Sequence, residues 1–292
     1  MDPNWLDTLQ GSGARIVGDV ARDFGNPTLE LEAARSASVM ADLSHLAALR
    51  FSGEDAESFL QGQLSCDVKA IGEGAASLGS YCTPKGRMLA SFTLLRSCGE
   101  FIMLLSADIA AAIQKRLSMF VLRAKVKVTH AGDGLVRLGL AGPACQHFDL
   151  AAMVPALADK VGQFVIPADR RLLLIPAEDA PAIWSALLAN FKPAGVAAWQ
   201  WLDISQGIPL ITAATQDQLV PQMANLELIG GVSFKKGCYP GQEIVARTQY
   251  LGKVKRRMFR AHLDVPAARS EEHTSELQSH LNLVCRLLLE KK

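Results

Sequence analysis

Residues 230–250 read Gly-Gly-Val-Ser-Phe-Lys-Lys-Gly-Cys-Tyr-Pro-Gly-Gln-Glu-Ile-Val-Ala-Arg-Thr-Gln-Tyr, and they gather the side chains best suited to chemistry. Gly237, Pro240 and Gly241 punctuate 235–241 as a tight loop. Residues 232–234 read as a short extended piece before it, and 242–250 as a helix after it. Ile244 and Val245 mark the apolar side of that helix, with Glu243 in the first turn, where a carboxylate suits the helix dipole. Cys238 therefore falls just ahead of a helix N-terminus, beside Lys235 and Lys236. Both features favour a thiolate over a thiol. A lone cysteine is ordinarily a small buried apolar residue, but this one sits in a punctuated loop, where function concentrates. A thiolate here suits a nucleophile, a transient metal or cluster contact, or a redox sensor. Without a partner histidine or carboxylate nearby in sequence, the three remain open. His130 and His262 read as structural or surface residues.

A second constellation lies in 193–210. Trp199 and Trp201 fall in a helical run over 196–206, which ends at Gly207 with Pro209 beyond it. Two tryptophans in a mostly apolar run read as core packing; an aromatic plate for a flat heterocycle is the other reading. Residues two apart on a helix point in different directions, so at most one of them faces a given ligand. Spacing does not choose between them.

The elements that must position these residues can be read in order. Residues 14–20 look like a strand and 36–46 are ambiguous. From there the pattern is strand (46–52), helix (54–64), strand (77–83), strand (87–95), strand (100–105), helix (capped by Ser106, to 120) and strand (125–129). That order is ferredoxin-like with one additional strand. A strand over 135–141 follows, then Gly142-Pro143 and a short helix, a hairpin from 161–166 and 171–175, and a helix over 179–190. This second group looks like part of another α+β unit.

Composition narrows the function classes. With 49% hydrophobic and 20% charged residues in 292, the chain suits a soluble globular protein of two or three domains. The net charge of +1 announces neither a membrane surface nor direct nucleic-acid binding. No apolar run approaches a membrane span. The opening Met1-Asp-Pro-Asn-Trp-Leu-Asp lacks the basic and apolar segments of a signal peptide, and Asp2 and Asp7 argue against a transit peptide. A cytoplasmic, bacterial, monomeric protein is expected. The six cysteines, at 66, 82, 98, 145, 238 and 285, form no Cys-x-x-Cys pair and no metal-ligand spacing with histidine, so reduced thiols and no metal site are expected.

The string Lys236-Gly-Cys-Tyr-Pro-Gly-Gln-Glu243 resembles the signature of the YgfZ family of folate-binding proteins. The resemblance runs from about 46 to about 259 and includes Phe59-Leu-Gln-Gly-Gln-Leu64, Thr83-Pro-Lys-Gly-Arg87, Trp199 through Pro209, and Pro221 through Asn225. It implies an α+β fold similar to the aminomethyltransferase of the glycine cleavage system: interleaved α+β domains around a folate channel, with a small C-terminal β-barrel. It implies tetrahydrofolate, or a one-carbon derivative, as cofactor. It also implies a role supporting assembly or repair of iron–sulfur enzymes, tRNA-modifying ones included, with those client enzymes or assembly proteins as partners. By this resemblance Trp199 is the folate-side tryptophan and Cys238 the catalytic thiol. Lys236, Gly237, Tyr239, Gly241 and Gln242 of the loop join them as cofactor-binding residues. Glu243 accepts from pterin N–H groups, a role compatible with capping its helix, and Arg247 suits the anionic glutamate tail.

Two departures from the family stand out. A second ligand-side tryptophan is replaced by Leu46. Gly86 is followed by Arg87-Met-Leu-Ala-Ser91, without the carboxylate that the transferase places after its hairpin glycine. The missing acid favours the accessory factor over the alternative, a one-carbon transferase.

The organisation expected is 1–45 joining the second α+β unit, 46–130 the ferredoxin-like unit, 131–255 the second unit with the signature loop, and 256–268 the start of a truncated barrel. Its first barrel strand is expected at 258–263. Residues 269–292 break abruptly from this pattern; the first eleven match one translated frame of a common sequencing-library adapter, so a non-native tail is expected there. An amphipathic helix with Leu277, Leu281, Val284 and Leu288 on one face is the competing reading.

Overall fold

The computed structural model describes residues 1–252, 254, 256–260 and 287–290. The chain opens with helix α1 (Pro3–Gly11), which sequence reading left out. Its cap is orthodox: Asp2 accepts from the Trp5 amide at 3.1 Å and Pro3 takes the first helical position. Strands β1 (Arg15–Val17) and β2 (Val20–Asp23) form a hairpin around Gly18 where one strand is expected. Helix α2 (Pro27–Ser36) follows, then β3 (Val39–Asp42) inside the ambiguous stretch.

The next seven elements follow the order expected. They are β4 (Leu46–Ser52), α3 (Ala56–Gln61), β5 (Ala76–Cys82), β6 (Met88–Ser97), β7 (Glu100–Ser106), α4 (Ala107–Val121) and β8 (Lys127–His130). The strands pair antiparallel in the order β5-β6-β7-β4-β8. The second sheet draws on β9 (Leu135–Ala141), β10 (Gly162–Ile166), β11 (Arg170–Pro176) and β12 (Lys192–Pro193), ordered β10-β11-β9-β3-β12. Short helix α5 (Leu150–Met153) and helix α6 (Ala180–Leu187) belong with it, and α7 (Val196–Ser205) and α8 (Gln242–Tyr250) complete the helices. Strand β13 (Arg256–Phe259) pairs antiparallel with β14 (Leu287–Glu290) as a two-stranded ladder, not a closed barrel. Residues 261–263 of the expected barrel strand, and all of 269–292 except β14, lie outside the described residues.

The strands at the centre are apolar on successive positions, and the packing explains why. Met103 and Leu105 of β7 enter a core with Leu49, Phe51 and Ile113 of α4, while Ile102 and Leu104 point the other way. Leu173 and Ile175 of β11 meet Trp5 of α1 and Trp184 of α6, while Leu172 and Leu174 point the other way. The two outward sets meet in a third core, with Ala48, Phe164 and Trp199. The sheets thus face each other, each backed by helices on its far side. A strand buried on both faces has no polar alternation to show.

Residues 232–234 form no strand. Val232 packs into the core with Leu49 and Phe51, Phe234 meets the Tyr250 ring edge-on at 5.9 Å, and the Ser233 amide donates to the Ser65 carbonyl at 2.8 Å. Among the described residues no helix is long and apolar enough to cross a membrane.

Candidate functional site

A cavity opens where the two sheets face each other. The space within it open to a water-sized molecule is about 60 Å³, a narrow slot between the sheets. Its walls are mainly apolar: Leu46 of β4, Phe92 of β6, Leu104 of β7 and Leu172 of β11, with the Trp199 ring. Charge in the lining comes from one pair, Arg170 and Asp203.

Each of these side chains has a local reason for its position. Ala168 and Asp169 adopt left-handed backbone (φ 66° and 54°) and turn β10 into β11, so Arg170 opens its strand at the cavity. Trp199 and Asp203 are four apart on α7 and therefore share a face. Gly139 of β9 leaves the space the indole needs, since a Cβ there would stand 2.4 Å from the Trp199 ring. The Arg170 guanidinium lies 4.8 Å over the centre of that ring, a cation–π arrangement. Its Nη1 donates to Asp203 Oδ1 at 2.8 Å and its Nε to the Pro167 carbonyl at 3.1 Å. Its Nη2 has no hydrogen-bond partner among the described residues, although the side chain is 2% exposed. Trp201 faces elsewhere, under the guanidinium of Arg35 at 5.2 Å. The two tryptophans diverge as helical geometry requires.

The signature loop is built as a separate stage. Lys236 is buried, and its Nζ donates to the carbonyls of Gln61 (2.6 Å), Leu64 (2.6 Å) and Cys66 (3.0 Å). Burial pushes this ammonium down to about 8. Gly241 takes a left-handed φ of 82° and lies so close to the Thr83–Arg87 turn that a Cβ would stand 2.4 Å from the Thr83 carbonyl oxygen. Gly86 of that turn in turn packs on Ile244 of α8. Gln222 Nε2 donates to the Val245 carbonyl at 2.7 Å, and Ser65 Oγ to the Gly231 carbonyl at 2.7 Å. The motifs around 61, 85, 222 and 238, scattered along the sequence, pack on one another.

On that frame Tyr239 is buried against Lys236, whose Nζ stands 5.3 Å from the ring centre. Burial raises its phenol, and the hydroxyl has no partner among the described residues. Buried Cys66 and Cys82 are pushed up to about 11 by loss of solvent, which keeps both as thiols. Cys238, Gly237 and Lys235 are exposed, as are Glu243 and Arg247 on α8. Gln242 and Gly241 are half-buried.

Of the residues expected at the cofactor, Trp199 lines the cavity; Lys236, Gly237, Cys238, Tyr239, Gly241, Gln242, Glu243 and Arg247 belong to the loop and α8 and do not line it. Arg170 and Asp203 were missed by sequence reading. The signal available was an isolated acid one turn beyond Trp199, in the otherwise uncharged stretch Ala-Ala-Trp-Gln-Trp-Leu-Asp-Ile. Leu46, where the resemblance led a second tryptophan to be looked for, lines the cavity as leucine.

This arrangement has counterparts. The GCVT N-terminal domain matches residues 20–158. The tRNA-modifying protein YgfZ of Edwardsiella ictaluri is 36% identical over 223 residues, covering 72% of this chain and 67% of that one. The chain belongs to the YgfZ family. The YgfZ protein of Colwellia psychrerythraea is 35% identical over 227 residues, covering 75% of this chain and 69% of its own length. In fold, this YgfZ-family chain is similar to the glycine cleavage system aminomethyltransferase T of Bartonella henselae, with a TM-score of 0.71 over 87% of this chain and 76% of that one, at 18% identity.

Proposed function

We propose that the cavity between the sheets binds tetrahydrofolate or a one-carbon derivative, and that the chain is an accessory factor for assembly or repair of iron–sulfur enzymes, tRNA-modifying ones included. The observation that carries the first part is an apolar slot whose lining holds a buried guanidinium bonded to a half-buried carboxylate. A reduced pterin is flat and largely apolar on its faces, with N–H groups and an oxygen on its edge, so it needs such a slot with polar groups at one place. The fold shared with an aminomethyltransferase and the names of the curated relatives support the reading.

Cys238 then acts outward. Its exposed position on a braced loop suits contact with another protein or with that protein's cluster, more than attack on a ligand inside the cavity. A one-carbon transferase is the weaker reading. The β6 residues lining the cavity are Ser91, Phe92 and Thr93, none of them an acid able to polarise folate. Ser91 Oγ is also committed, donating to the Pro209 carbonyl at 2.7 Å and accepting from the Ile211 amide at 2.9 Å.

Calorimetric titration with tetrahydrofolate tests the cavity. Asp203→Ala and Trp199→Ala should each weaken binding, and unchanged affinity in both variants would remove the assignment. Cys238→Ser should leave folate affinity intact while lowering the activity of iron–sulfur enzymes in cells that depend on this protein.

A further inference from the structure

Arg170 carries more hydrogen-bonding capacity than the protein uses. A guanidinium presents five N–H donors in a rigid plane. Here Nε and Nη1 are anchored on Pro167 and Asp203, and the plane lies over Trp199, so the direction of Nη2 is fixed by three contacts. Nη2 itself is buried and has no partner among the described residues, on a side chain that lines the cavity. Leaving a charged donor unsatisfied is costly, so the position calls for an acceptor supplied by whatever fills the slot.

We propose that Arg170 is a specificity residue of the cavity, donating from Nη2 to a neutral carbonyl oxygen on the edge of the bound heterocycle. This rests on the folate reading above and narrows it to one atom of the ligand. Asp203, 2.8 Å from Nη1, offsets the guanidinium charge, so a neutral carbonyl suffices as the acceptor. A carboxylate or phosphate brought to Nη2 would stand close to the Asp203 carboxylate and be repelled by it. A pterin carries such an oxygen at ring position 4; its 4-amino counterpart presents a donor there instead. Two donors facing each other in a buried slot repel, and the Arg170 hydrogen would then lose its partner.

The test compares tetrahydrofolate with tetrahydroaminopterin, its 4-amino counterpart, on the full chain by calorimetry or tryptophan fluorescence. The intact protein should favour the oxo compound by roughly tenfold or more, as expected when a buried donor loses its acceptor. Arg170→Gln and Arg170→Lys should bring the ratio of the two affinities toward one. A structural role alone would lower both affinities together and leave the ratio unchanged. Equal binding of both compounds to the unaltered protein overturns the assignment to Arg170 while leaving the folate reading standing, and that measurement needs no variant. Binding of neither compound overturns both. Tight binding of a tail fragment, para-aminobenzoylglutamate, that is lost in Arg170→Lys would overturn the carbonyl assignment in favour of an anion.

Discussion

The ammonium of Lys236 sits 2.6 Å from the carbonyl oxygen of Leu64, a residue 172 positions earlier in the chain. With the carbonyls of Gln61 and Cys66 it closes a three-point cage that fastens the signature loop to the end of α3 and the turn after it. The lysine beside the thiol in sequence thus spends its charge on backbone carbonyls. Lys236→Met should leave three carbonyls short of a donor and cost about 2–4 kcal/mol, the range for losing hydrogen bonds to a buried charge. Urea unfolding measures the loss, and limited proteolysis should cut first within 230–241. Full stability in the variant would show the cage to be incidental.

Gly139 is the floor under the Trp199 ring. Gly139→Ala would put a methyl 2.4 Å from Cη2 of the indole, with backbone of a central strand beneath it. Neither side yields easily, so a loss of about 1–3 kcal/mol is expected from overpacking. The near-UV dichroism of the tryptophans should change, and folate affinity should fall because Arg170 stacks on the displaced ring. A variant with native spectrum and native affinity would contradict this placement.

Among the described residues the thiols divide by burial. Cys98 and Cys238 are exposed, whereas Cys66, Cys82 and Cys145 are buried and pushed up to about 11. Brief treatment with a maleimide at pH 7 should therefore modify Cys98 and Cys238 and spare Cys66, Cys82 and Cys145 until urea is added. Peptide mass spectrometry reads the sites. Labelling of Cys66 or Cys82 in the native protein would mean that the loop opens readily.

The His45 imidazole is lowered to about 4 by burial first and by the positive charge of Arg137 second. Its unfolded value is 6.5, so between pH 6.5 and 4 the unfolded chain holds a proton that the folded one does not. Stability from this group is complete above pH 6.5 and falls as pH drops toward 4. Allowing for partial solvent access, the loss is about 2 kcal/mol. Asp42, raised by its own burial, acts in the opposite direction over part of the range. The difference between the protein and its His45→Asn variant isolates the histidine. Parallel pH profiles for the two would remove this account.

Much of the fold was legible because periodicity is local. The alternation in 125–129, the three-to-four spacing of Ile109, Ile113 and Leu117, and the punctuation around Pro84 and Gly86 each need only a few neighbours to read. Helix α1 went unread although Asp2 and Pro3 announce its start, because only Trp5 and Leu9 mark its buried face. The stretch 232–234 has the residues of a strand but, among the described residues, pairs with no strand; its Ser233 amide bonds the Ser65 carbonyl instead.

The chain by itself determined most of its elements from residue 46 to 190, its family signature and, through that resemblance, Trp199 as a candidate wall of the ligand site. Only the tertiary structure decided that Lys236 serves the backbone, that Cys238 faces outward, and that Arg170 and Asp203 meet beside Trp199 in the slot. Side-chain type and spacing report what a residue can do within one turn of helix or one strand. What it does depends on partners 33 to 175 residues away, brought close by two sheets that bury their facing sides.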